Sequence, residues 1–151
     1  MIEKEFIPYE QALALKELGF DEPCFGYFNK TWSKENELLF PQYVGELENW
    51  NNTQHLCSAP TFSQAFRWFR EKYGLRNSIT DFIDDETGIE WDYEIAIIGT
   101  DIDERGNYKP LIDYSTDDET RKFKTYEEAE LACLRKLIEL IKRNDEKSSH
   151  T

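Results

Sequence analysis

His55 and Cys57 are the histidine and cysteine closest together in the chain. In an extended segment residues i and i+2 share a face, so this pair has the spacing of a thiol–imidazole dyad. In such a dyad the imidazole takes the thiol proton and leaves a nucleophilic thiolate. No cysteine-nucleophile signature surrounds it, and such signatures do not transfer between families, so no catalytic residue is assigned. The remaining histidine and cysteines, His150, Cys24 and Cys133, are too scattered for a zinc site. Asp101, Asp103 and Gly106 open like a calcium loop. The match fails at Arg105, where an oxygen ligand is needed, and at Ile112, where the loop would need glutamate. Arg67, Arg70, Lys72 and Arg76 beside Trp68 form a basic–aromatic cluster of the kind that stacks on bases, but on a helix they read as its solvated outer face. There is no glycine-rich phosphate loop and no nucleophile elbow. An enzyme is therefore not the expected reading, and no cofactor or metal is implied.

What stands out is carboxylate. The 151 residues hold 31 acidic and 18 basic side chains, a formal net charge of −13. Residues 81–120 contain 14 acidic and 2 basic residues, so a net −12 lies in that stretch while the rest is nearly balanced. Such a surface repels phosphate backbones and anionic lipid, so neither nucleic acid nor membrane is an expected direct partner. It steers a basic protein instead. The candidate surface comprises Asp84, Asp85, Glu86, Glu90, Asp92, Glu94, Asp117, Asp118 and Glu119. In a three-strand meander the first and third turns share one end of the sheet. That would bring Asp84, Asp85 and Glu86 near Asp117, Asp118 and Glu119, a set that could hold a hard cation weakly or remain simply solvated.

These carboxylates need elements to position them. A first helix begins at Pro8 or Tyr9 and stops at Gly19, with Phe20 folding back on the last turn. Cys24–Phe28 reads as a short strand; 29–54 has no clear period, with Glu37–Phe40 a possible strand stopping at Pro41 and Leu56–Cys57 another. Thr61 and Gln64 have capping-box spacing, and Phe62, Ala65, Phe66, Phe69 and Tyr73 give the helix that follows one apolar face, up to Gly74. Ser78–Ile83 and Ile89–Ile98 form a hairpin around an acidic turn. Ile89, Trp91, Tyr93, Ile95 and Ile97 lie on one face, and Glu90, Asp92 and Glu94 on the other, which is expected to be solvated. After an acidic turn over Gly99–Asn107, Tyr108–Tyr114 is a third strand that Pro110 confines to an edge; Ser115–Thr120 is the last acidic turn. Thr125 and Glu128 repeat the capping box before a helix over Tyr126–Arg143, and 144–151 reads as a polar tail. The expected fold is α+β, in the order α–β–β–α–β–β–(β)–α, with an antiparallel sheet packed by helices on one face in a single domain over 1–143.

The segments Phe6-Ile7-Pro8-Tyr9-Glu10-Gln11-Ala12, Leu18-Gly19-Phe20-Asp21-Glu22-Pro23-Cys24, Pro60 through Leu75 and Tyr126-Glu127-Glu128-Ala129-Glu130-Leu131-Ala132 carry a resemblance. Together they resemble a group of small proteins encoded by Bacteroidetes genomes, prophages and phages, over most of the chain. The group has no activity to carry over, so no catalytic or binding residue follows from it. The resemblance implies an accessory protein of a mobile element acting in the bacterial cytoplasm. An odd number of widely spaced cysteines and the absence of a leader pattern after Met1 agree with a reducing compartment.

The function expected on these grounds is a non-catalytic interaction module that presents the acidic hairpin region to an unidentified basic protein, in a sharper form as a nucleic-acid mimic. Two alternatives stand beside it: a carboxylate-based metal-binding protein or enzyme, and a structural homo-oligomer built on exposed aromatics such as Trp32 and Trp50.

Overall fold

Helix α1 (Tyr9–Glu17) starts where proline permits and ends where glycine compels. Pro8 is its extended N-cap, with φ −61° and ψ 155°. Gly19 turns left-handed at φ 89°, so that Gly19 N–H donates to Lys16 O at 3.0 Å and Phe20 N–H to Leu15 O at 2.9 Å. This pair of bonds satisfies the last carbonyls and returns Phe20 to the interior, where it is buried. The computed structural model from which these features come describes residues 2–30, 37–42, 47–113 and 122–149, the side chains of 98–101 and 108–113 excepted.

The remaining elements are β1 (Gly26–Asn29), β2 (Leu38–Leu39), β3 (Leu56–Ala59), α2 (Phe62–Tyr73), β4 (Leu75–Asp84), β5 (Gly88–Ile102), β6 (Tyr108–Asp113) and α3 (Tyr126–Ser148). Short 3-10 turns occupy Ile2–Glu5 and Trp50–Asn52. Among the described residues the fold is α+β, with three α-helices and antiparallel strand pairs. The strands form two three-stranded sheets where one was expected, ordered β2-β1-β3 and β4-β5-β6, and three strands precede α2 where two were expected. The described chain divides into two compact units, Met1–Ala65 with Lys142–Thr151, and Phe66–Ile141.

In the first unit, β1 pairs with β3 from Gly26↔Ala59 to Asn29↔Leu56 and with β2 through Tyr27↔Leu39 and Phe28↔Leu38. Gly26 admits that second pairing, because a Cβ there would lie 3.0 Å from Leu38 Cδ1 and 3.2 Å from Leu39 O. Within the stretch that lacks a sequence period, Trp50 and Asn51 are held by side-chain-to-backbone bonds. Trp50 Nε1 donates to Cys24 O at 3.2 Å, Asn51 Nδ2 donates to Phe20 O at 2.8 Å, and Ser58 N–H donates to Asn51 Oδ1 at 2.9 Å. Trp50 is thereby docked beside Tyr27, with ring centroids 4.5 Å apart, and is half-buried. It is not the exposed aromatic that the homo-oligomer alternative supposed; Trp32 lies outside the described residues.

The capping box at α2 closes in full and the one at α3 only by half. Gln64 N–H donates to Thr61 Oγ1 and Thr61 N–H to Gln64 Oε1, each at 3.2 Å. At α3, Glu128 N–H donates to Thr125 Oγ1 at 3.2 Å, but Glu128 Oε2 accepts from Lys124 N–H at 3.1 Å, one residue beyond the usual partner. The apolar stripe of α3 is buried at Ala129, Cys133, Leu134, Leu137, Ile138, Leu140 and Ile141, whereas Tyr126 is 41% exposed. The helix continues to Ser148, past the expected end at Arg143, because Asn144–Ser148 contains no glycine or proline to stop it.

Candidate interaction surface on the acidic hairpin

The β4–β5 hairpin is in register over ten residue pairs, from Leu75↔Ile97 to Asp84↔Gly88. Its turn follows from local chemistry. Asp84 Oδ1 accepts from Glu86 N–H at 2.9 Å and Thr87 N–H at 3.0 Å, and Gly88 takes φ 88°. The strands are longer than their sequence patterns suggested: β5 runs on through Gly99 to Ile102, so the following turn shrinks to 103–107. There Asp103 Oδ1 accepts from Arg105 N–H at 2.8 Å and Asn107 N–H at 2.9 Å, which commits to the turn itself an oxygen that a calcium loop would use for metal. No group of three or more metal-ligating side chains occurs among the described residues.

The alternation expected along β5 is present, but its solvation differs. On one face Tyr93 and Ile95 are buried and Trp91 is half-buried, its ring 5.4 Å from Tyr126. That cover gives out toward the turn. Ile89 is 60% exposed and its cross-strand partner Ile83 is 80% exposed, beside the exposed carboxylates of Asp81, Asp85 and Glu86. On the other face Glu94 is exposed and Asp92 half-buried, as a solvated face requires. Glu90 departs from the expectation, at 2% exposure.

Lysine covers it. Beyond the end of β6, Phe123 occupies the same row of the sheet and pairs with Trp91, with Trp91 N–H donating to Phe123 O at 2.8 Å and Phe123 N–H to Trp91 O at 3.0 Å. Phe123 then lies on the face of Tyr93, their ring centroids 6.1 Å apart, so Lys122 and Lys124 project to the opposite face, onto Glu90. Lys124 Nζ meets Glu90 Oε1 at 2.8 Å; Lys122 Nζ meets Asp84 Oδ2 at 2.8 Å and lies 3.7 Å from Glu90 Oε2. Thr87 Oγ1 also donates to Glu90 Oε1. The cover consists of neighbouring side chains rather than depth, and the lysines themselves are 41% and 63% exposed. Two of the nine carboxylates of the expected acidic surface are therefore neutralised within the fold. Asp117, Asp118 and Glu119 lie outside the described residues, and their approach to Asp84–Glu86 with them.

The charges shift one another. The Lys122 ammonium, and then the N–H groups of Glu86 and Thr87, hold the Asp84 carboxyl below the ordinary carboxylate range. Lys124 and then Thr87 lower Glu90 against its desolvation, and Asp84 foremost raises Lys122. A carboxyl lowered by folding stabilises above its unfolded pKa and loses that contribution as pH falls through the folded value. The raised lysine contributes below its unfolded pKa and loses its contribution as pH rises through the folded one. The network is thus intact at neutral pH and weakens on the acid side below about pH 4, the ordinary carboxylate value. The acid limb of a thermal-stability profile is expected to flatten in the Asp84→Asn/Glu90→Gln double variant; an unchanged limb would show that the network contributes nothing.

Other candidates resolve differently. His55 has φ 67°, precedes β3 and is exposed, while Cys57 is buried with its thiol pushed up to about 11 by burial, so no dyad forms. Burial likewise pushes the Cys24 thiol up to about 12, and all three cysteines are free and buried. Trp68 is 4% exposed, its ring 5.1 Å from Phe69 and 5.4 Å from Tyr73, with Lys72 Nζ 4.8 Å from its centroid. The basic–aromatic cluster therefore offers no open ring for a base, though Arg67, Arg70, Lys72 and Arg76 are exposed.

Sequence reasoning missed Lys122, Lys124, Ile83 and Ile89 as residues of this site. The lysines had a signal: two cations at i and i+2 around an aromatic is a strand-edge pattern. No helix among the described residues is long and apolar enough to cross a membrane. No protein-family model matches this chain, and neither a curated protein nor a solved structure is found to match it.

Proposed function

We propose that the chain is a non-catalytic protein-binding module that presents the end of the β4–β5 hairpin to a basic partner. The observation that carries this reading is the exposed Ile83–Ile89 pair with the exposed carboxylates of Asp81, Asp85 and Glu86 close to it along the same hairpin end. Such a surface combines an anchor that gains from burial with carboxylates that steer encounter. In the context its resemblance implies, the module belongs to a phage or mobile element and acts in the cytoplasm of a bacterial host, where three free thiols would stay reduced. In its sharper form it would mimic nucleic acid; the apolar pair favours the general form, because a phosphate backbone has no counterpart to it.

The test compares proteins captured from a Bacteroidetes lysate by the wild type, by Ile83→Ser/Ile89→Ser, by Asp81→Asn/Asp85→Asn/Glu86→Gln, and by Glu139→Gln on α3 as a control. The reading expects a partner retained by the wild type and the control and lost by both hairpin variants. Identical captures by all four proteins would discard it.

A further inference from the structure

Among the described residues, the outer edge of β4 pairs with no other strand. Both backbone polar groups of Trp91 are committed to Phe123, so they point away from β4. In an antiparallel ladder this direction alternates along the strand. The pairs Ile83↔Ile89, Asp81↔Trp91, Ile79↔Tyr93, Asn77↔Ile95 and Leu75↔Ile97 are therefore those without mutual hydrogen bonds, and the β4 member of each turns its N–H and C=O outward. Among the described residues nothing accepts from or donates to them on that side. Natural edges are usually blunted by proline, a bulge or charged side chains, lysine above all, and of these β4 carries only the charges of Arg76, Asp81 and, at its end, Asp84. β4 has no proline or lysine, and its ten pairs with β5 run without a register shift.

We infer that this edge pairs with the same edge of a second copy of the chain, antiparallel, with Ile79 opposite Ile79 across the two-fold axis. A two-fold perpendicular to the sheet keeps each face on its own side, so the axis lies midway between one residue and the same residue of the other copy. Only outward-turned residues then exchange hydrogen bonds. With Ile79 at the centre, Ile79 meets Ile79 and Leu75 meets Ile83 on the apolar face, while Asn77 meets Asp81 as amide to carboxylate. On the opposite face Ser78 meets Thr80 and the Arg76 guanidinium meets the exposed Phe82 ring. Shifting the centre to Thr80 sets Ile79 against Asp81 and Asn77 against Ile83. A centre on Asp81 opposes two carboxylates. A centre on Asn77 also matches Leu75 with Ile79, but it pairs only residues 75–79 of the strand, whereas the Ile79 register matches apolar with apolar over 75–83 and opposes no like charges. Two chains of net charge −13 repel at long range, so salt strengthens this association rather than weakening it.

Sedimentation over a concentration series, at low and high salt, reads the association. The wild type is expected to dimerise, and more tightly at high salt. Directly opposite residues in a hydrogen-bonded antiparallel pair have Cα atoms about 5.5 Å apart, within disulfide range. Ile79→Cys is therefore expected to cross-link two chains in a glutathione redox buffer, and Thr80→Cys is not; the buried native cysteines give little background. Asp81→Pro deletes two symmetry-related outward bonds without touching the β4–β5 ladder and should raise the dimer dissociation constant by at least about tenfold. Ile79→Lys, which opposes two cations across the axis, should do the same, with circular dichroism confirming that both variants fold. A wild type monomeric at every concentration overturns the inference. So does a dimer unaffected by both folded variants, or a cross-link at Thr80→Cys in place of Ile79→Cys.

Discussion

Phe69→Ala is expected to remove about 3–5 kcal/mol of unfolding free energy, most of the margin of an ordinary domain. Phe69 is wholly inaccessible, and its ring lies 5.1 Å from Trp68, edge to face, and 6.1 Å from Tyr73. Truncation removes the ring's transfer free energy and leaves a void that rigid aromatic neighbours close poorly. Phe69→Leu, which keeps most of the volume, should cost less. Phe82→Ala, at a site 36% exposed, should cost least of the three. Urea titrations of the three variants give the order directly. A Phe69→Ala midpoint indistinguishable from that of Phe82→Ala would show that burial at this position does not govern stability.

Asn51→Leu is expected to cost about 2–3 kcal/mol, from a residue that no apolar pattern marks. Its amide bridges the turn after α1 and strand β3: it donates to Phe20 O and accepts from Ser58 N–H. Ser58 is 1% exposed, so its N–H has no water to turn to when the amide is replaced by a methyl-tipped side chain of similar size. Asn51→Asp keeps the acceptor but sets a carboxylate oxygen against the Phe20 carbonyl, so it should fall between the wild type and the leucine variant. Amide hydrogen exchange at Ser58, read with chemical denaturation, separates this account from a general loosening. Unchanged protection at Ser58 in Asn51→Leu would refute it.

The contrast between these two residues shows what was legible in the amino-acid order. Phe69 announced itself, because Phe62, Ala65, Phe66, Phe69 and Tyr73 recur at helical spacing after a capping box. The stop of α1 at Gly19 and the turn around Asp84 and Gly88 were readable for the same reason: each signal and its structure lie within a few residues. Asn51 was not readable, since its partners are 31 and 7 residues away and polar side chains carry no period. Trp68 was misread as part of an outward basic cluster, because flanking arginines say nothing about which way a ring turns once a core surrounds it.

The acidic region divides along the same line. The order of residues by itself determined that 81–120 carries net −12, that β5 alternates apolar and acidic, and that its turns are built by aspartate and glycine. Those are properties of composition and of period two, which need no distant partner. Only the tertiary structure decided which carboxylates remain as surface. It returned Phe123 to Trp91, and so laid Lys122 and Lys124 over Asp84 and Glu90, 38 and 34 residues away in the chain. It also left Ile83 and Ile89 uncovered where the hairpin runs past its cover. Charge sums are additive along a chain, but exposure and ion pairing depend on what the fold brings alongside, and that is set by sheet register rather than by sequence distance.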